Sequence, residues 1–441
     1  MKAHGLEWKV AGEFAGRLPL LELEPLRHPN DLPPGMLVKD NTVRTVIRVD
    51  DPANPDGTGL YVKRYKFRDL HKSLLHLAVP TKPQVEWHIS RKLLGANVPT
   101  CHVLAIAVDR SAGVPREGWL VNREIPGTTE LRDALDERRP GRRSFIIREV
   151  AALTARLIDN GFYHTDYHAG NILVRPSGAV GERVFVVDQH SIRKVRLFTK
   201  RRVARMLAML DNSTRDAGTT DAERTEFLRH FLEMWRGGPG ASKQSLALWD
   251  AMLSAAADRH HRRHMASRTR RCVKESSLFT RDRAGGYRIW HRRELSPEDA
   301  LDAVQRHDEK LAEVVSEDEK ERVNRTDRAL GDHNDGPVMR SRRRTQVSIV
   351  PCSHVPPTDV GSAAPRQEVP EGRVCVKAFR RPGLRARAKD LLRPRSRARS
   401  CYVAHRGMQV RGLPVPEPFA LLENRWKGED YVIVEAIPHD E

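Results

Sequence analysis

Apolar and polar positions change period several times along this chain, and each change marks an element. Val43 to Val49 and Leu60 to Tyr65 are rich in β-branched and alternating residues. Between them, Asp50 to Gly59 is crowded with Asp, Pro, Asn and Gly, which predicts a β-hairpin with a long loop. Val85, Ile89, Leu93 and Leu94 recur at helical spacing over Lys82 to Leu94, with Gly95 placed to stop the helix. Val103 to Val108 and Trp119 to Ile125 predict two more strands. Phe145, Ile146, Val150, Leu153, Leu157 and Ile158 then form one apolar helix face, closed by Asn160 and Gly161. The short apolar runs Asn171 to Val174 and Val184 to Val187 flank a Pro/Gly turn at Arg175 to Arg183 and predict a second hairpin. Helices are expected over 195–260 and from Pro297, with Ser296 as N-cap, to about Asn324. Residues 1–35, ending in Pro33, Pro34 and Gly35, read as an extended lead-in, and Gly331 to Arg344 as a linker.

Length adds that 441 residues suffice for a bilobal unit plus further material. No apolar run approaches a membrane span and Met1 to Glu7 holds no signal core, so a cytoplasmic protein is expected. Five scattered cysteines without a CxxC pair suggest neither a disulfide framework nor a zinc site. The net charge of +19 is more informative, because such a field attracts nucleotide phosphates, anionic membrane surfaces or nucleic acid. No recognition helix or stacking-aromatic motif accompanies it, so no specific nucleic-acid partner is expected. The basic cluster from His260 to Arg271 reads as a solvated face.

Candidate chemistry lies at the second hairpin. His164, Asp166, His168, Asn171, Ile172 and Leu173 spell H-x-D-x-H-x-x-N-I-L, and Asp188 follows seventeen residues after Asn171. Asn171 opens one strand and Asp188 closes the next, so antiparallel pairing brings both oxygen donors to the same open end beside Asp166. A divalent cation fits between them. Phosphoryl transfer asks for little more: hard oxygen ligands, a cation on the nucleotide phosphates and a carboxylate to orient the attacking hydroxyl.

The stretch from His164 to His190 resembles the catalytic and metal-binding loops of the protein-kinase superfamily, and in particular the lipopolysaccharide Kdo/heptose kinase family. The resemblance covers about residues 36–240, with Tyr61 to Tyr65 similar to the nucleotide-lysine strand and Glu86 and Trp87 to the pairing helix. It implies an α+β, bilobal protein-kinase-like fold with an antiparallel β N-lobe and a mainly helical C-lobe. It further implies that Asp166 is the catalytic base, that Asn171 and Asp188 hold Mg²⁺, that Lys63, held by Glu86, contacts the ATP phosphates, and that His164 organises the loop. The expected reaction is transfer of the ATP γ-phosphate to a sugar hydroxyl of the lipopolysaccharide inner core. The acceptor would be lipid-linked, and the protein peripheral at the inner face of the inner membrane, where its basic surface suits anionic lipid.

Three departures stand out. The phosphate-covering turn, Lys39 to Thr45, contains no glycine, which leaves Lys39 or Arg44 to compensate. Asp188 is followed by Gln189 and His190 where protein kinases carry phenylalanine and glycine. His168 stands where protein kinases carry lysine, which points to a small-molecule or sugar acceptor. A kinase of another small molecule or of a protein, and a non-catalytic pseudokinase scaffold, are the alternatives.

The C-terminal hundred residues echo the beginning of this unit. Thr345 to Val350 echoes Val43 to Val49, Arg373 to Phe379 echoes Leu60 to Tyr65 with Lys377 in the place of Lys63, and Tyr431 to Ile437 echoes Trp119 to Ile125. The place of Glu86 falls on Cys401, and no second H-x-D loop follows. The expected organisation is a lead-in (1–35), kinase-like N-lobe (36–127), C-lobe with catalytic loop (128–265), basic helical connector (266–338) and a second, incomplete N-lobe (339–441).

Overall fold

The computed structural model describes all residues except 34, 42, 52–56, 68–69, 137–140, 176–183, 322–337, 343–344, 356–371, 382, 384, 386–387, 389, 391–392, 425, 427 and 438–441. The chain divides into two compact units, Met1–His261 and Arg262–Glu441.

The first unit begins with a seven-stranded sheet built from β1 (Lys2–Ala3), β2 (Leu6–Val10), β3 (Leu37–Asp40), β4 (Arg44–Asp50), β5 (Gly59–Lys66), β6 (Val103–Ser111) and β7 (Val114–Arg123). Their order is β1-β2-β6-β7-β5-β4-β3, antiparallel throughout. The period of two in β5 turns Leu60 and Val62 into an apolar layer with Trp8, Ile47, Trp119 and Val121, leaving Tyr61, Lys63 and Tyr65 on the opposite face. That opposite face is covered by α2 (Lys82–Gly95), which follows the short α1 (Leu70–Leu75). Helix α2 starts on a capping box between Thr81 and Gln84 with Pro83 in the first turn, and Asn97 turns the chain away with φ +54°.

The helical lobe comprises β8 (Thr129–Glu130), α3 (Leu131–Asp136), α4 (Arg142–Asp159), β9 (Phe162–His164), β10 (Ile172–Val174), β11 (Val184–Val186), β12 (Ile192–Lys194), α5 (Lys200–Arg215), α6 (Asp221–Met234) and α7 (Lys243–Thr269). The apolar face read on α4 is buried: Ile146, Val150, Leu153, Leu157 and Ile158 join Leu207, Phe231 and Trp249 in one core. Strands β10 and β11 pair as expected, with Ile172 opposite Val186; most of the turn expected between them, 176–183, lies outside the described residues.

The second unit holds another seven-stranded sheet: β13 (Phe279–Ala284), β14 (Tyr287–Arg292), β15 (Val338–Arg342), β16 (Thr345–Pro351), β17 (Arg373–Arg380), β18 (Pro418–Asn424) and β19 (Glu429–Glu435). Its order, β13-β14-β18-β19-β17-β16-β15, reproduces that of the first sheet strand for strand. One face packs on α8 (Pro297–Glu321) through Ala300, Ala303 and Val304, the other on α9 (Arg397–Val410) through Ala398 and Tyr402.

Three expectations are corrected. Residues 1–35 are no free lead-in: β1 and β2 extend the first sheet, and Phe14, Leu18, Leu21, Leu23 and Leu26 are buried against its apolar face. Residues 266–338 are more than a helical connector, because β13 and β14 occupy in the second sheet the places of β1 and β2 in the first. The linker at 331–344 contains β15, whose register with β16 is interrupted by a bulge. In each case the strands are short or highly charged, and only pairing with a neighbour makes them strands.

Candidate active site

Lys63 and Glu86, 23 residues apart in sequence, meet where β5 faces α2: Lys63 Nζ donates to Glu86 Oε2 at 3.1 Å. The Tyr65 hydroxyl, two residues along the same face of β5, donates to Glu86 Oε1. Glu86 is fully buried. Burial pushes its carboxyl up, but Lys63, His190 and Tyr65 outweigh that and hold it at about 2. Burial likewise favours neutral Lys63, and the Glu86 charge reverses that and raises its pKa. The pair is therefore ionised at neutral pH.

Asn171 and Asp188 sit at the same end of the β10–β11 ladder, where Val187 N–H donates to the Asn171 carbonyl at 3.0 Å. The Asn171 amide donates to the Asp166 carbonyl at 2.8 Å, which ties the catalytic-loop candidate to the ladder. Asp188 adopts a left-handed conformation, φ 61° and ψ 49°, uncommon for a residue with a side chain and characteristic of functional turns. Its carboxylate accepts from Ser191 Oγ at 2.8 Å. Burial acts to raise its pKa, and His190, Ser191 and Lys63 bring it well below the usual carboxylate range.

His190 links the two halves of the site. Its Nδ1 lies 2.7 Å from Asp188 Oδ1 and 3.5 Å from Glu86 Oε1, a charge contact without a straight hydrogen bond. Burial lowers its pKa, but the two carboxylates raise it above the ordinary value. Glu86, Asp188 and His190 thus place one ligand atom each within 4.8 Å of one another, a cluster of metal-binding type.

Asp166 is more open, with 62% of its side chain exposed. His168 Nε2 is 3.7 Å away and, as the largest cause, lowers the Asp166 pKa. The Asn171 amide nitrogen also lies 3.0 Å from that ring nitrogen. His164 is a buried organiser: Nδ1 accepts from the Asp166 N–H at 3.2 Å, Nε2 lies 3.2 Å from the Val187 carbonyl, and burial lowers its pKa to about 4.

The glycine-free turn has its own solution. Asn41 Oδ1 accepts from the Val43 and Arg44 N–H groups at 2.9 and 2.8 Å, so the side chain closes the turn. Arg44 Nη1 reaches to 3.9 Å from Asp188 Oδ1, which brings this cation to the site, whereas Lys39 is exposed on the edge strand β3.

Residues 36–231 match the family described as lipopolysaccharide kinase (Kdo/WaaP). The matched stretch takes in Lys63, Glu86, Asp166, Asn171 and Asp188, and the match supports a phosphotransferase and, at family level, a kinase of a lipopolysaccharide-core sugar. A solved structure of WaaP in complex with acyl carrier protein is similar to the chain at 21% identity and a TM-score of 0.39, over 57% of this chain and 99% of that one. No curated protein matches the chain.

Sequence reasoning overlooked Tyr65 and the supports of the Asp188 turn. Tyr65 is legible in hindsight, since the Tyr61-x-Lys63-x-Tyr65 alternation puts it on the lysine's face. Gln189 Nε2 donates to Thr100 Oγ1 at 2.9 Å and to the Cys101 carbonyl at 2.8 Å, and the Thr100 hydroxyl donates to the Val186 carbonyl at 2.7 Å. These bonds span nearly ninety positions, and nothing local announces them.

Proposed function

We propose that the kinase domain transfers the γ-phosphate of ATP, with Mg²⁺, to a Kdo or heptose hydroxyl of the lipopolysaccharide inner core. The observation that carries this reading is the convergence of Asp166, Asn171 and Asp188 at one end of a short ladder, facing an ionised Lys63–Glu86 pair. The donor set fits Mg²⁺, since Asn171 and Asp188 offer hard oxygens. Mg²⁺ bound there would neutralise charge on the phosphates during transfer.

In this reading Lys63 holds the α and β phosphates while buried Glu86 fixes its position. Arg44 supplies the positive charge for which a glycine-rich turn would use backbone amides; here the Val43 and Arg44 N–H groups are spent on Asn41. Asp166, ionised and half-open, orients the acceptor hydroxyl and takes its proton. The first N-lobe takes in β1 and β2 together with 36–127, the C-lobe is 128–265, and the second N-lobe-like sheet runs from β13 to β19. The acceptor is lipid-linked and the protein works in the cytoplasm, peripheral at the inner face of the inner membrane.

The test is Mg²⁺-dependent transfer of labelled γ-phosphate to purified lipopolysaccharide core acceptors, comparing the native chain with Asp166→Ala. Transfer abolished in the variant, with Mg-ATP binding retained, supports the assignment. Nucleotide binding with no transfer to any core acceptor would move the acceptor to another small molecule or a protein, and no nucleotide binding would make the domain a scaffold.

A further inference from the structure

The link between β5 and α2 joins the strand of Lys63 to the helix of Glu86 and carries a surface feature that the proposed chemistry leaves unused. Leu74, Leu75, Leu77 and Val79 are 42%, 65%, 60% and 54% exposed. Four large apolar side chains facing water within six residues mark an interaction surface. The backbone beneath them is held in place. The His76 ring stands edge-on to Phe67 with centroids 5.4 Å apart, and its Nδ1 lies 3.1 Å from the Val79 carbonyl. Arg110 donates to the Gly113 carbonyl at 2.6 Å and to the His76 carbonyl at 3.5 Å.

Charge selects the partner. From Ser73 to Val85 the sequence contains His76 and Lys82 and no acidic residue. Lys82 is exposed at the start of α2, and Arg110 and Arg116 are exposed on the adjoining β6–β7 hairpin. A second copy of the chain would bring this basic rim against itself, which costs free energy. An anionic bilayer offers both complements, acyl chains for the leucines and headgroups for the cations. No helix among the described residues is long and apolar enough to cross a membrane, so such an attachment would be superficial.

We infer that Leu74 to Val79 is a membrane-docking element that inserts its apolar side chains into an anionic lipid surface. The inference deepens the proposed function and rests on it only for the reason a bilayer is at hand, namely a lipid-linked acceptor. The full chain should co-sediment with vesicles of phosphatidylcholine containing phosphatidylglycerol and much less with phosphatidylcholine alone. The double variant Leu75→Ser/Leu77→Ser should bind the anionic vesicles roughly tenfold or more weakly, with Mg-ATP binding unchanged. A Leu75→Trp variant should show an emission blue shift on adding anionic vesicles. Equal vesicle binding by the double variant and the native chain would overturn the inference. So would a vesicle-independent dimer that the same variant abolishes, because the leucines would then belong to a second copy. Vesicle binding intact without any phosphate transfer would instead count against the proposed function alone.

Discussion

Two sheets with one strand order carry the same lysine in different company. Lys63 on β5 lies opposite Val46 and Leu120, and Lys377 on β17 lies opposite Val347 and Val432. Helices α2 and α9 are both 14 residues long, capped by Thr81 and Ser396, and their fifth residues are Glu86 and Cys401. The tyrosine that completes the first site, Tyr65, is matched by Phe379. The carboxylate and the hydroxyl that would be stranded without it are thus absent together. Burial raises the Cys401 thiol's pKa, and Lys377, which among the described residues makes no ion pair, lies 5.4 Å from the Phe379 ring centre. The difference teaches that alternation and helix capping suffice to build this lobe, and that the ion pair is not needed to build it.

The sharpest way to break the contrast is to give the first lobe the second lobe's residue. Glu86→Cys should reduce phosphate transfer at least about a hundredfold. It should also cost roughly 3–5 kcal/mol in urea unfolding, because Lys63 is left buried without a counter-charge. Acid should produce a comparable loss in the native chain. Glu86 has a native carboxyl at about 2 against an ordinary 4.5, so its contribution is present above about 4.5 and disappears as pH falls towards 2. That contribution is roughly 3 kcal/mol by linkage. Hydrogen exchange of β5 and α2 peptides should speed up over this window in the native chain relative to Glu86→Gln, while exchange in β17 and α9 should not depend on the substitution.

A smaller effect sharpens the point about coherent replacement. Adding Tyr65→Phe to Glu86→Cys should recover about 1–2 kcal/mol, since the hydroxyl orphaned by the first change is removed. Additive losses in the urea double-mutant cycle would show that the two positions are independent. Smallest of all, Thr81→Ala and Ser396→Ala should each cost about 1 kcal/mol, because each residue caps its helix, Thr81 in a capping box with Gln84 and Ser396 by accepting from the Arg399 N–H. Unequal losses would mean that the lobes differ in more than the ion pair.

Much of both lobes was legible because β4, β5, α2, β6, α4 and the β10–β11 ladder each present an apolar period to a single neighbour. The Asp166, Asn171 and Asp188 cluster was legible for a related reason: short antiparallel strands leave no freedom about which ends meet. Residues 1–35 and 266–338 were misread because their strands are short or crowded with charge, and the pairing that defines them lies far away in the chain.

By itself, the sequence determined much of the order of strands and helices, the repeat of one lobe and the residues proposed for phosphoryl chemistry, since periodicity, caps and motif spacing are local properties. Only the tertiary structure decided that His190 bridges Glu86 and Asp188, that Tyr65 shares Glu86 with Lys63, that Gln189 anchors the Asp188 turn to Thr100 and Cys101, and that Asn41 consumes the amides of the turn between β3 and β4. Most of those contacts cross between elements distant in sequence. Their existence depends on burial and on competition among several polar partners for the same oxygen atoms, which no local pattern encodes.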